Sequence, residues 1–143
     1  TVNGVRIFCK GGNWVTPDAI YGRITDAQYE HLVREARDAH FNMLRVNGCN
    51  AYEREVFYDC CDRYGLLVWQ DFPFASAYYP DRQWFMNIVE AETQTIVRRL
   101  RNHACLALWC GNSRVDALHE AGQLGAGRKF YGKTIYHELL PGL

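Results

Sequence analysis

Apolar and polar positions along this chain fall into four similar blocks. Each is a short apolar run ending in a polar or glycine-rich tip: RIFCKGGNW at 6–14, NMLRVNGCN at 42–50, LLVWQDF at 66–72 and CLALWCGNSR at 105–114. The runs predict strands at 6–9, 42–46, 66–69 and 105–109. Helical patterns stand between them. Thr25, with Gln28 three residues later, forms a capping box, and Tyr29, Leu32, Val33, Ala36 and Ala39 follow on one apolar face. A second helix is expected over 53–64, with Val56, Phe57 and Cys60 inward and Gly65 as a left-handed cap. A third spans 81–101, its best buried stripe being Phe85, Ile88, Val89, Ile96 and Leu100. Strand-plus-tip units joined through helices describe an α/β fold with a parallel sheet in the order 1-2-3-4. Four such (β/α) units are about half of an eight-stranded barrel, and their tips gather at the carboxyl ends of the strands.

The pattern weakens after position 112. Two helical turns are expected over 115–121, broken by Gly122, Gly125 and Gly127. A last short helix over 131–140 is stopped by Pro141-Gly142.

Composition narrows the function. A chain of 143 residues that is 48% hydrophobic can bury a core, which excludes a disordered segment. Lys plus Arg number 16 and Asp plus Glu number 16, so no net field draws nucleic acid. No apolar run reaches the roughly 20 residues of a membrane span. The opening TVNGV, a turn signal leading directly into a strand, reads as a start within a longer protein. The compartment stays open: cytoplasmic or periplasmic, or secreted for a longer parent. The six cysteines lack paired metal-ligand spacing and read mostly as reduced, small apolar side chains. His31, His40, His119 and His137 form no metal pattern either, and His103, after a helix end, suits a dipole or capping contact.

Candidate chemistry sits at the strand ends. Arg45 and Asp71 are charges where a buried parallel strand is normally apolar, so each needs a partner. They either face the bowl above the sheet or satisfy each other beneath it. Asn13 and Trp14 suit a sugar, the amide bonding hydroxyls and the indole stacking on a ring face; alternatively Trp14 plugs the top of the core. Asn112 lies on the fourth tip, and Trp109 suits packing.

At these tips the chain closely resembles the catalytic barrel of glycoside hydrolase family 2, in its β-mannosidase branch. The resemblance rests on VNGVRIFCKGGNWVTPD, NMLRVNGCNAYEREVFYDCCDRYGLLVWQDFPFA and RRLRNHACLALWCGN. It implies the first half of a (β/α)8 TIM barrel at 1–143, from a longer multidomain glycosidase, with 113–143 a weakly matching tail. Such enzymes remove terminal non-reducing β-D-mannose with retention and without a cofactor, using two carboxyl groups about 5 Å apart. The implied partner is a β-mannoside or related oligosaccharide, with no nucleic acid and no membrane. Carried over by motif, Asn13, Trp14, Arg45, Asp71 and Asn112 are substrate-binding positions, with Arg45 beneath the nucleophile. The family's fourth-strand signature W-C-G-N-N-E ends in the acid/base glutamate. This chain reads Trp109-Cys110-Gly111-Asn112-Ser113-Arg114, so an arginine holds the acid/base position. Asn47 also replaces the usual tryptophan, and Cys49-Asn50 interrupts a glycine run. No nucleophile glutamate follows, since Glu120 and Glu138 carry no motif. The resemblance therefore leaves the chain alone without a catalytic residue, either as an inactive barrel segment or as a carbohydrate-binding or structural remnant. Open barrel edges invite self-association.

Overall fold

The computed structural model describes all 143 residues. Four parallel strands, β1 (Gly11–Trp14), β2 (Met43–Val46), β3 (Leu67–Asp71) and β4 (Leu106–Cys110), pair in the order β1-β2-β3-β4. They are joined through α1 (Asp26–Asp38), α2 (Glu55–Tyr64) and α3 (Gln83–Leu100), and α4 (Val115–Glu120) follows β4. This is part of a (β/α)8 barrel, with each crossover helix on the same side of the sheet. No helix is long and apolar enough to cross a membrane.

Local signals explain most element boundaries. The Thr25 side chain accepts from the Gln28 backbone N–H while Gln28 reaches back to Thr25 N–H, closing the expected capping box. Gly65 ends α2 at φ 73°, where a side chain would strain the backbone. A π-helical turn at Ile135–Leu139 stands where the sequence suggested a regular short helix, and runs into a 3-10 turn at Leu140–Gly142.

The first strand departs from the pattern. It occupies the expected tip, not positions 6–9, where Ile7 and Phe8 are 36% and 80% exposed with nothing to bury them. Pairing starts at Lys10, whose carbonyl accepts from Asn42 N–H at 2.8 Å and Met43 N–H at 3.1 Å. Glycine lets the strands close up: a Cβ at Gly11 would stand 1.7 Å from the Met43 carbonyl oxygen. The register with β2 settles which way each β1 side chain points: Asn13 lies beside Arg45 and Trp14 beside Val46.

The core lies between the sheet and its helices. Trp14, Leu44, Val46 and Val68 pack against Tyr29 and Val33 of α1, Phe57 and Tyr58 of α2, and Leu100 of α3. A second cluster joins Phe72 and Phe74 beyond β3 to Val89 of α3, Val115 of α4, and Ile135, Tyr136 and Leu140 of the tail. On α3 the buried positions are Val89, Thr93 and Leu100, whereas Ile88 is 54% exposed. The stripe is thus narrower than expected, because α3 meets the sheet at one edge of its apolar face. Leu32 likewise sits at the rim of α1. The opposite face of the sheet, with Met43, Arg45, Leu67, Trp69 and Leu108, carries no layer and stays partly exposed.

Candidate functional site

One row across the uncovered face gathers the polar side chains. Strand register sets Asn13 beside Arg45 and Arg45 beside Trp69. These three, with Cys9, Gly11, Gly12 and Met43, line an open cavity of 290 Å³. The Arg45 guanidinium lies over the Trp69 ring at 4.9 Å, a cation–π contact, and forks onto Asp71. Its Nη2 donates to Asp71 Oδ2 at 2.7 Å and its Nε to Oδ1 at 3.3 Å. Asp71 is buried and accepts a third bond, from Gly48 N–H at 3.2 Å. Arg45 Nη2 also approaches Ser113 Oγ at 3.4 Å. The planar fork matches a carboxylate in two bonds, so the pair is held in one orientation with its charges compensated.

Close backbone approach locks the tips around this pair. A Cβ on Gly48 would fall 2.6 Å from the Phe72 carbonyl oxygen, and Ser113 N–H donates to the Phe74 carbonyl at 2.7 Å. The ends of β2, β3 and β4 are therefore tied to one another.

The other expected site residues lie elsewhere. Trp14 is a correction. It is only 7% exposed, points to the helices, packs against Phe57 with the rings tilted and 4.6 Å apart, and donates its Nε1–H to Glu53 at 3.0 Å. That indole does not line the cavity, because Trp14 pairs beside Val46 and shares its helix-facing side of the sheet. Asn112 is held at both ends of its amide: its Oδ1 accepts Val115 N–H at 2.8 Å at the start of α4, and its Nδ2 donates to Asp116 at 2.6 Å. Arg114 is exposed at the first bend of α4, in left-handed backbone at φ 71°. Glu120 and Glu138 are exposed on the tail. Trp109 packs on Phe72 with rings stacked at 5.1 Å. All six cysteines are unpaired, but Cys9 and Cys49 are exposed where small core residues were expected.

Two groupings carry no signal in the sequence. Glu53 is wholly buried with hydrogen bonds from four side chains, Trp14, Thr16, Tyr21 and Tyr29. Burial, and then the carboxylate itself, push the phenols of Tyr21 and Tyr29 far above their ordinary range. Near the end of β4, Asp116 joins Asn112 to His137 of the tail, whose Nε2 stands 2.7 Å away.

Burial raises the Asp116 pKa, but the bonds from Asn112 and His137 outweigh it and hold the carboxyl below its usual value. A depressed folded pKa stabilises fully above the unfolded value near pH 3.9, about where aspartate ordinarily titrates. That contribution is lost as pH falls through the lowered folded value. Thermal unfolding of Asp116→Asn and the parent chain should therefore differ at neutral pH, and the gap should shrink as the pH falls below about 3.9. A gap that holds constant below that pH would remove the ionised carboxyl from the account.

No family model matches the chain. Individual proteins do. The β-mannosidase of Bos taurus is 42% identical over 116 residues, covering 81% of this chain and 13% of that protein. The crystal structure of β-D-mannosidase from Dictyoglomus thermophilum superposes with a TM-score of 0.95 at 43% identity, over 97% of this chain and 17% of that one. The chain belongs to the β-mannosidase branch of glycoside hydrolase family 2. A β-glucuronidase of Parabacteroides merdae, at 20% identity and a TM-score of 0.66 over 75% of this chain, shares the fold. This β-mannosidase-family chain spans about an eighth of the bovine relative's length.

Proposed function

We propose that this chain forms the first half of the sugar-binding bowl of a retaining β-mannosidase. In the full-length parent the bowl takes the terminal non-reducing β-D-mannose of an oligosaccharide. The chain alone binds such a sugar weakly and does not cleave it. The observation that carries the reading is the Arg45–Asp71 fork beside Asn13 on the uncovered face of the sheet. The Asn13 amide and the remaining guanidinium N–H groups suit sugar hydroxyls. Asp71 holds Arg45 in place, and Arg45 in turn orients a nucleophile glutamate supplied by a later strand. Asn112, held by Val115 and Asp116, contributes its second amide N–H.

A second reading, a carbohydrate-binding remnant, is favoured by Arg114. Guanidinium stays protonated, so it neither gives a proton to the leaving oxygen nor takes one from water. Both readings share the cavity and differ in whether a parent supplies two carboxylates.

The test is a titration of the isotope-labelled chain with methyl β-mannoside, followed by amide NMR. Saturable shifts at Asn13 and Arg45, with a Kd of about 1 mM or weaker, are expected. Asp71→Asn should weaken them at least about tenfold by freeing the fork. Shifts confined to other surfaces, or none at the solubility limit of the sugar, would overturn the assignment. Open outer edges on β1 and β4 support self-association, so sedimentation accompanies the titration.

A further inference from the structure

We propose that Asp62, His103 and Cys105 form a binding site for one zinc-type divalent cation. The site lies at the amino end of β4, at the opposite end of the sheet from the strand tips, and is independent of the sugar pocket. One donor atom from each of the three residues lies within 4.8 Å of the others. Tetrahedral zinc, with bonds of about 2.0–2.3 Å, separates its donors by roughly 3.2–3.8 Å, so modest side-chain rotation closes the set. The tightest pair, His103 Nδ1 and Asp62 Oδ2 at 2.7 Å, must open slightly as the cation enters.

Three further observations turn this proximity into a site. First, the other ring nitrogen of His103, Nε2, stands 3.1 Å from Glu55 Oε2. A carboxylate behind a ligating histidine fixes its ring and raises its basicity, the usual support for a metal-bound imidazole. Second, Asp62 Oδ1 accepts the Cys105 backbone N–H at 2.6 Å, which holds that carboxylate at the start of β4 and leaves Oδ2 to the centre of the set. Third, Asp62 and Cys105 line a cavity of 130 Å³, together with Cys61. The Cys105 side chain is 4% exposed, its thiol meets the Tyr58 carbonyl at 3.6 Å, and it also interacts with the Asp62 carboxylate.

The donor chemistry selects the cation. One imidazole, one thiolate and one carboxylate suit Zn²⁺ or Co²⁺, whereas Mg²⁺ and Ca²⁺ favour all-oxygen shells. Asp62 is 30% exposed, which gives the cation an entry path and leaves water for the fourth position. Binding replaces the Cys105 thiol proton and the proton shared by His103 and Asp62, and both leave to solvent. The donors come from α2, the turn after α3 and β4, so the cation would staple three elements at the base of the sheet.

Cobalt titration of the purified, reduced chain tests this. One equivalent of Co²⁺ should produce a thiolate-to-cobalt charge-transfer band with tetrahedral visible bands, and one equivalent of Zn²⁺ should erase both. Cys105→Ser should abolish the charge-transfer band, and His103→Gln the one-equivalent end point, with far-UV dichroism confirming that each variant is folded. Cys9→Ser/Cys49→Ser, which removes the exposed thiols, should leave the titration unchanged. Glu55→Gln should weaken affinity about 10–100-fold without altering stoichiometry. Absence of a band at one equivalent, or a band that survives Cys105→Ser, would overturn the site and leave His103 as a hydrogen-bonded clamp between two carboxylates.

Discussion

The purified chain should release no measurable sugar from a chromogenic β-mannoside, and Arg114→Glu should not rescue it. Two deficits act independently. General acid/base assistance is typically worth about 10²–10⁴-fold in rate, and the arginine that the family resemblance puts at that position cannot supply it. Covalent catalysis needs a second carboxylate about 5 Å from the first, and no candidate here is placed for that role. Glu53 is sealed on the helix side of the sheet, Glu120 and Glu138 lie on the exposed tail, and Asp71 is spent on Arg45. A glutamate at 114 would also inherit left-handed backbone at φ 71°, which fixes where its carboxyl could point. The decisive assay measures turnover at high protein concentration and titrates active sites to exclude a contaminant. Saturable activity stoichiometric with the native chain would overturn both the acid/base and the nucleophile arguments. Activity appearing only in Arg114→Glu would retain the first and remove the second.

The largest loss of stability should come from Glu53→Ala, at about 3–5 kcal/mol. The carboxylate is an acceptor hub for Trp14 at 3.0 Å, Thr16 at 3.3 Å, Tyr21 at 2.8 Å and Tyr29 at 2.5 Å. Those donors come from the end of β1, the following loop and α1, while Glu53 itself stands just before α2. Removing it strands the two buried donors, Trp14 and Tyr29, each costing about 1–3 kcal/mol where water cannot reach, while Tyr21 keeps the Tyr52 carbonyl. Tyr29→Phe deletes one donor and leaves the hub, so about 1 kcal/mol is expected. Domains are commonly stable by only about 5–15 kcal/mol, so the alanine variant should sit close to unfolding. Urea denaturation monitored by tryptophan fluorescence measures both. A loss below about 1 kcal/mol for Glu53→Ala would mean that solvent enters and satisfies the donors.

The sequence made β2, β3 and β4 legible because an apolar run between two helical patterns has few other readings. The capping box at Thr25 and the glycine stop at Gly65 fixed two helix ends for the same reason: each depends on neighbouring residues alone. β1 was not legible. Ile7 and Phe8 look like a strand, yet pairing is decided by Lys10 and Gly11 against Met43, a contact made far along the chain. That register puts Trp14 inside β1 beside Val46, and so on the helix side of the sheet. The Arg45–Asp71 partnership could be read from charge in an apolar setting, since a buried charge demands a counterpart. Glu53 gave no such warning, because a glutamate next to a helix start is ordinarily on the surface. Asp62, His103 and Cys105 were invisible for a third reason. Their spacing follows no ligand motif, and only the packing of α2 against the start of β4 brings them together.

The sequential strand order bears on how such a domain is made during synthesis. Each strand pairs with the one before it, so every new β-strand closes a loop on the order of 30 residues and finds its template already standing. A nascent chain can add these units one at a time as they leave the ribosome, with low contact order throughout. Only the final joining of the last strand to β1 spans the whole barrel. Until then β1 must hold its place as an unpaired edge, and the Glu53 hub is what anchors that edge to the helices behind it.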